Sequence, residues 1–274
     1  MKTTLHGQVT LFCNILTDVR IAKECGYQAI ELHTDKLIRF LDAGMTALQL
    51  KAVLDTKKIE PAAIDIIGGI EVQGNAEKDK LFALTERLCE VAAVIGAPTV
   101  QVNAFSGLEG RTEKEVLSLT AENLKIIADI GNQKGVRFQI EGAAWTPLHT
   151  LDHCIRLIEL TGRDNVGLVI DFWHFWASRG ATPEDISRLD ASLIYGVHLC
   201  DGFRPDKGAQ WPDERILRGC LPGEGKLPVK EWMDAVKATG FDGFVSGEFL
   251  NHALWERDLW DVALEMRKKI ETYL

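Results

Sequence analysis

The amino-acid sequence predicts a closed (β/α)₈ barrel, an α/β fold built as one domain over residues 1–274. Three observations carry that expectation. Short apolar runs rich in Val and Ile alternate about eight times with longer segments of helical period. The runs are apolar almost throughout, as in parallel strands buried on both faces. A chain of 274 residues with 46% hydrophobic content suits one barrel of ordinary size. The competing architecture is an open doubly wound sheet. Its G-x-G-x-x-G fingerprint at a first strand–helix turn is missing, and "PGEGKLP" (222–228) follows no apolar strand.

The expected strands run Val9–Phe12, Ala29–Leu32, Pro61–Ile66, Thr99–Asn103, Arg137–Glu141, Gly167–Asp171, Ile194–Leu199 and Gly243–Glu248. After the fourth, "TEKEVLSLTAENLKIIADIGNQKG" opens with Thr112 and Glu115 at capping-box spacing. Val116, Leu119, Leu124, Ile127 and Ile130 then fall on roughly one stripe, and Gly135 is placed to end the helix. After the sixth, Thr182 is the expected N-cap of a short helix with Pro183 at its first position. Residues 254–274 close the chain as an amphipathic helix. There is no linker, low-complexity tract or charge block.

Composition narrows the function. The net charge of −9 argues against a nucleic-acid surface, which needs a basic face. The six cysteines are scattered with no C-x-x-C pair, the pattern of reduced thiols used as small core residues. "MKTTLHGQVTLF" lacks the apolar core of a signal peptide, and no run is long enough for a membrane span. A cytoplasmic protein is expected. Aromatic residues near the carboxyl-end loops leave a homo-oligomer open.

In a barrel of this kind chemistry sits at the carboxyl ends of the strands. Four expected strands end in a titratable group: "VRFQIEG" in Glu141, "VGLVIDF" in Asp171, "LIYGVHLCDG" with His198, and "GFVSGEFL" in Glu248. Each alone has a plainer reading. Asp171 would cap the next helix, either glutamate would pair with a basic neighbour, and His198 would be a hydrogen-bonded core histidine. Together, on four consecutive strands, they converge. Three carboxylates cannot be buried cheaply without a counter-charge, and a divalent metal supplies it. Oxygen-rich donors with one imidazole suit Mn²⁺, Mg²⁺ or Zn²⁺.

At these residues the sequence resembles the xylose-isomerase-like TIM-barrel superfamily of sugar isomerases and epimerases, and within it the inosose isomerase type. The matching blocks are "CGYQAIELHTDKL" (25–37), "KKIEPAAIDI" (57–66), "RDNVGLVIDFWHF" (163–175), "GVHLCDG" (196–202), "LPGEGKLP" (221–228) and "GFDGFVSGEF" (240–249). The resemblance implies that Glu141, Asp171, His198 and Glu248 are metal ligands, with Mn²⁺ first and Zn²⁺, Mg²⁺ or Co²⁺ as alternatives. It makes His174 a substrate-contacting histidine. It makes Arg218, ahead of Arg215, the arginine that binds a substrate oxygen before the "PGEG" loop. Trp145 is expected to wall the pocket or to pack in its loop. His33 and Asn103 are placed to touch the far end of a substrate. Trp173, Phe175 and Trp176 would wall the sugar or pack against neighbouring loops. His6, His149, His153 and His252 receive surface or loop roles. The superfamily also holds three-zinc apurinic-site endonucleases. Asn103 stands where those carry a histidine, and Asp206 lacks the partner histidine, so one metal and no DNA chemistry are expected.

The chemistry that follows is proton transfer at the carbon beside a ketone. A hydroxy-ketone chelating the metal would form a stabilised enediolate, with Glu141 and Glu248 as acid and base. The outcome would be isomerisation or epimerisation of a keto sugar or ketocyclitol. Elimination by a lyase or dehydratase is the first alternative, and a metal-free sugar-binding barrel the second.

Overall fold

The computed structural model describes residues 1–104, 110–209 and 213–274. Eight parallel strands close into a barrel in sequence order. They are β1 (Lys2–His6), β2 (Ala29–His33), β3 (Glu60–Gly68), β4 (Thr99–Asn103), β5 (Arg137–Ile140), β6 (Val166–Asp171), β7 (Ile194–Leu199) and β8 (Phe244–Gly247). Closure comes from β1 and β8, whose Thr3 and Thr4 lie in register with Val245 and Ser246.

The first strand is not Val9–Phe12. That run lies in turns, with the Val9 amide donating to the His6 carbonyl at 3.0 Å. Val9 is buried there as a loop residue, while Phe12 is exposed. The strand is "KTTLH", which a search for apolar runs passes over. Its β-branched threonines suit extended backbone, and its polar side chains are paid for by a polar barrel interior.

The expected capping box at Thr112 and N-cap at Thr182 both form, and the second is a box as well. Thr112 and Glu115 close one at the start of Glu113–Asn132, and Thr182 and Asp185 another at Pro183–Ser187. The carboxyl-terminal helix breaks in two, His252–Trp255 and Leu259–Tyr273. The Asp258 side chain accepts from the amides of Trp260 and Asp261 and starts the second piece afresh. All six cysteines are free thiols. Among the described residues, no helix is long and apolar enough to cross a membrane.

The apolar core lies between the barrel and its helices. Inside the barrel a polar layer forms a floor beneath the carboxyl ends. Gln139 Nε2 donates to Gln101 Oε1 at 2.9 Å and to Glu31 Oε1 at 3.2 Å, and Ser246 Oγ donates to Glu31 Oε2 at 2.7 Å. Gly196 makes room for this layer, since a Cβ there would lie 3.2 Å from Gln139 Oε1.

Candidate metal centre

Glu141, Asp171, His198 and Glu248 come together at the top of the barrel. One donor atom from each lies within 4.8 Å of the others. Asp171 and His198 stand in register at the ends of β6 and β7. Glu141 and Glu248 follow one residue beyond β5 and β8, so each projects from the rim rather than from within the strand. All four are buried.

Each carboxylate divides its oxygens between protein and centre. Asn103 Nδ2 donates to Glu141 Oε2 at 3.1 Å, and Glu141 Oε1 lies 3.3 Å from His198 Nδ1. Asp171 Oδ1 accepts the His174 amide at 2.7 Å, capping the helix Phe172–Ser178, while Oδ2 lies 3.9 Å from His198 Nδ1. Asp171 therefore has both roles open to it in the sequence: helix cap and member of the cluster. Glu248 Oε1 takes the Arg218 guanidinium, and Oε2 lies 3.3 Å from His198 Nδ1.

The electrostatics favour positive charge at this point. Burial alone would lower the His198 pKa, but Glu31 and the hydrogen-bonded Glu141 and Glu248 raise it well above the ordinary histidine value. Burial would raise the Glu248 carboxyl. Arg218 first, then His198 and His6, overcome that and hold it well below its usual value. Glu141 is lowered against burial by its His198 hydrogen bond and by His174. Three anionic oxygens and one imidazole nitrogen turned to one point form a donor set that fits a hard or borderline divalent cation.

Glu31 stands behind this set. Its Oε2 lies 3.2 Å from His198 Nε2, so the other ring nitrogen, Nδ1, faces the cluster. A carboxylate behind a ligating imidazole fixes both ring orientation and tautomer. Glu31 escapes a search for strand-end groups because two residues follow it in β2. His6, expected at the surface, is buried at the end of β1 with its ring centroid 4.9 Å from that of His198. Asp65, within β3, was also missed and lies 3.5 Å from His6. Cys200 Sγ contacts Asp171 Oδ2 at 3.1 Å, and burial raises its pKa.

A cleft of about 150 Å³ opens above the cluster, lined by residues that include Glu141, Glu248, His174, Arg218, Trp145 and Asp65. His174 Nδ1 accepts the Ala144 amide at 3.2 Å, and Nε2 lies 2.6 Å from Arg218 Nη1. Arg218 is the buried arginine of the pair, whereas Arg215 is exposed and bonded to Asp213. Trp145 lines the mouth with its ring 5.2 Å from that of His174. Asn103 lies beneath Glu141, and His33 lines the cleft on the β2 side. Trp173 and Phe175 are fully buried, with Trp173 Nε1 donating to the Phe203 carbonyl. Trp176 lies under the Arg204 guanidinium. These three aromatic residues pack rather than wall the cleft.

The "PGEG" turn offers its amides to Asp201. Gly223 and Gly225 donate to Oδ2 at 2.8 and 2.9 Å, and Gly202 and Leu227 to Oδ1. Amides that would cradle a phosphate are thus engaged within the chain.

Comparison with known proteins agrees with this architecture. The chain is 26% identical over 258 residues to the inosose isomerase of Halalkalibacterium halodurans, covering 90% of this chain and 87% of that one. It is 24% identical over 231 residues to the 3-dehydroshikimate dehydratase of Pseudomonas putida, covering 82% of this chain and 34% of that one. Among solved structures, the IOLI protein with a binding zinc atom superimposes with a TM-score of 0.89 at 23% identity, covering 100% of this chain and 99% of that one. The family model described as xylose isomerase-like TIM barrel matches residues 19–270, and the chain belongs to that family.

Proposed function

We propose that the protein is a divalent-metal-dependent isomerase or epimerase of a neutral keto sugar or ketocyclitol, of which an inosose is the leading candidate. One observation carries the reading: three carboxylates each turn one oxygen, and His198 turns Nδ1, toward a point on the floor of a cleft whose wall holds Arg218 and His174. Glu141, Asp171, His198 and Glu248 are the proposed ligands. Mn²⁺ is the first choice, and Zn²⁺, Mg²⁺ and Co²⁺ are the alternatives; the binding zinc atom of the similar IOLI structure supports a metal in this protein. Bound there, the ion would polarise the substrate ketone and stabilise enediolate charge.

The side chains then divide the work. Glu141 and Glu248 rise from β5 and β8, on either side of the β6 and β7 residues, and flank a ligand from two directions. One removes the proton from the carbon beside the ketone and the other returns one. Return to the same carbon on the opposite face gives an epimer; return to the former ketone carbon, with the hydroxyl proton passing to the former ketone oxygen, moves the ketone. Arg218 and His174 hold substrate oxygens, and Trp145 covers the mouth.

The test is to strip the protein with chelator, reload it with each metal, and incubate it with an inosose in deuterium oxide. The reading expects a carbon-bound deuteron and an isomer with the same heavy-atom formula, both dependent on metal. Glu141→Gln and Glu248→Gln, checked for metal content, should each slow exchange at least about 100-fold. Full exchange in either variant would remove that residue from proton transfer. The dehydratase relative favours a second reading, elimination of water from the same enediolate. A product lighter by one water would establish it. A protein that takes up no metal would support a binding barrel instead.

A further inference from the structure

The cleft has a second polar wall that metal binding and proton transfer leave unused. In an eight-stranded barrel β2 and β3 lie across from β6 and β7, so this wall faces His174 and Arg218. Its members are His33 and Asp65, paired in register at the β2–β3 ladder. Both line the cleft.

His6 stands behind the wall. The Gln8 amide donates to His6 Nδ1 at 3.0 Å, which places the ring proton on Nε2. That nitrogen is buried and makes no hydrogen bond, and it points toward Asp65 Oδ2 at 3.5 Å and Glu31 Oε2 at 3.9 Å. Glu31 Oε2 already takes Ser246 and faces His198, so Asp65 is the less engaged acceptor. The Asp65 side chain is 10% exposed, at the cleft, and its Oδ2 has His6 Nε2 as its neighbour at 3.5 Å. Its buried carboxyl is raised well above the ordinary aspartate pKa by burial, then by Glu248 and Glu31. Such a group gains from a hydrogen-bonding partner brought by a ligand.

His33 supplies the complementary function. Its Nδ1 accepts the Asp35 amide at 3.2 Å as a helix cap, so its proton also sits on Nε2. Burial lowers its pKa to about 4, which keeps the ring neutral near pH 7. A carboxyl group and a neutral N–H donor side by side match hydroxyl groups, which donate and accept at once.

We propose that Asp65 and His33 recognise hydroxyl groups on substrate carbons remote from the ketone, and so select a compact polyhydroxylated ring over its deoxy analogues. The inference rests on the proposed function, because it assumes that the ketone end sits over the four-residue cluster. It gives Asp65 a role in specificity and none in proton transfer.

The experiment compares metal-loaded wild type, Asp65→Asn and Asp65→Ala on an inosose and on its monodeoxy analogues, by steady-state kinetics and by calorimetric binding. Wild type should prefer the inosose over at least one deoxy analogue by about 10- to 100-fold. Asp65→Ala should lower kcat/KM for the inosose by a similar factor, mainly through KM, and change that analogue by less than about threefold. The preference then collapses, with Asp65→Asn intermediate and metal content unchanged. A uniform loss on every compound, or unchanged preference, overturns the inference while turnover by wild type leaves the reaction standing. If wild type binds the inosose without converting it, the reaction fails and the affinity ratios still decide the role of Asp65. A wild type that neither binds nor converts any of them overturns both.

Discussion

Glu31 offers no donor to the four-residue cluster, yet it decides which nitrogen of His198 faces it. Its Oε2 sits 3.2 Å from Nε2 and is fixed in turn by Ser246 at 2.7 Å. Glu31→Gln keeps the shape but replaces the strong acceptor with a group that has one oxygen and one amide. Metal affinity measured by competition with a chromogenic chelator should fall about 10- to 100-fold, with far-ultraviolet circular dichroism unchanged. Unchanged affinity would mean that Glu31 only fills the barrel floor. The four clustered residues were legible because each closes an apolar run on consecutive strands. Glu31, His6 and Asp65 were not. Glu31 and Asp65 lie inside their strands, and whether such a residue faces the barrel axis depends on register. Local irregularities, such as the shift between Ile30 and Glu31 against β3, alter that register without a mark in the sequence.

At the scale of elements, the loop from Cys220 to Leu227 is anchored by a single buried carboxylate. Asp201 takes four backbone amides, from Gly202, Gly223, Gly225 and Leu227. The fit is close, since a Cβ on Gly225 would lie 2.2 Å from Asp201 Oδ1. Asp201→Ala strands those amides and should cost about 3 kcal/mol in urea unfolding. A change below about 0.5 kcal/mol would show that water replaces the carboxylate without cost. The sequence placed this turn before the eighth strand, but it did not point to Asp201 as its anchor. The helix 252–255 and its break were hidden for a similar reason. "LWERDLWDVAL" keeps its apolar period across Asp258, and only the cap shows that the chain restarts there. The first strand was missed because its inward side chains meet the polar floor, where hydropathy is no guide.

For the whole molecule, the barrel gathers groups from the ends of separate strands, and an ion gripped there ties β5, β6, β7 and β8 together. Binding to the folded state alone should therefore stabilise the fold. At a free metal concentration about 100 times Kd the gain is about 2.7 kcal/mol, a rise of several degrees in Tm by scanning calorimetry. Glu248→Gln should lose most of that rise, whereas an equal rise in the variant would place the stabilising metal elsewhere. The barrel itself was readable because buried parallel strands such as "VGLVID" are apolar on both faces, a pattern that survives errors of one or two residues at their ends. A single divalent cation held at the barrel's carboxyl end underlies the proposed chemistry. Anomalous diffraction from a crystal of the manganese-loaded protein tests it most directly. One strong peak per chain is expected, about 2.0–2.4 Å from a carboxylate oxygen of Glu141, Asp171 and Glu248 and from His198 Nδ1. No peak among those four side chains, or a peak held by other residues, would contradict it.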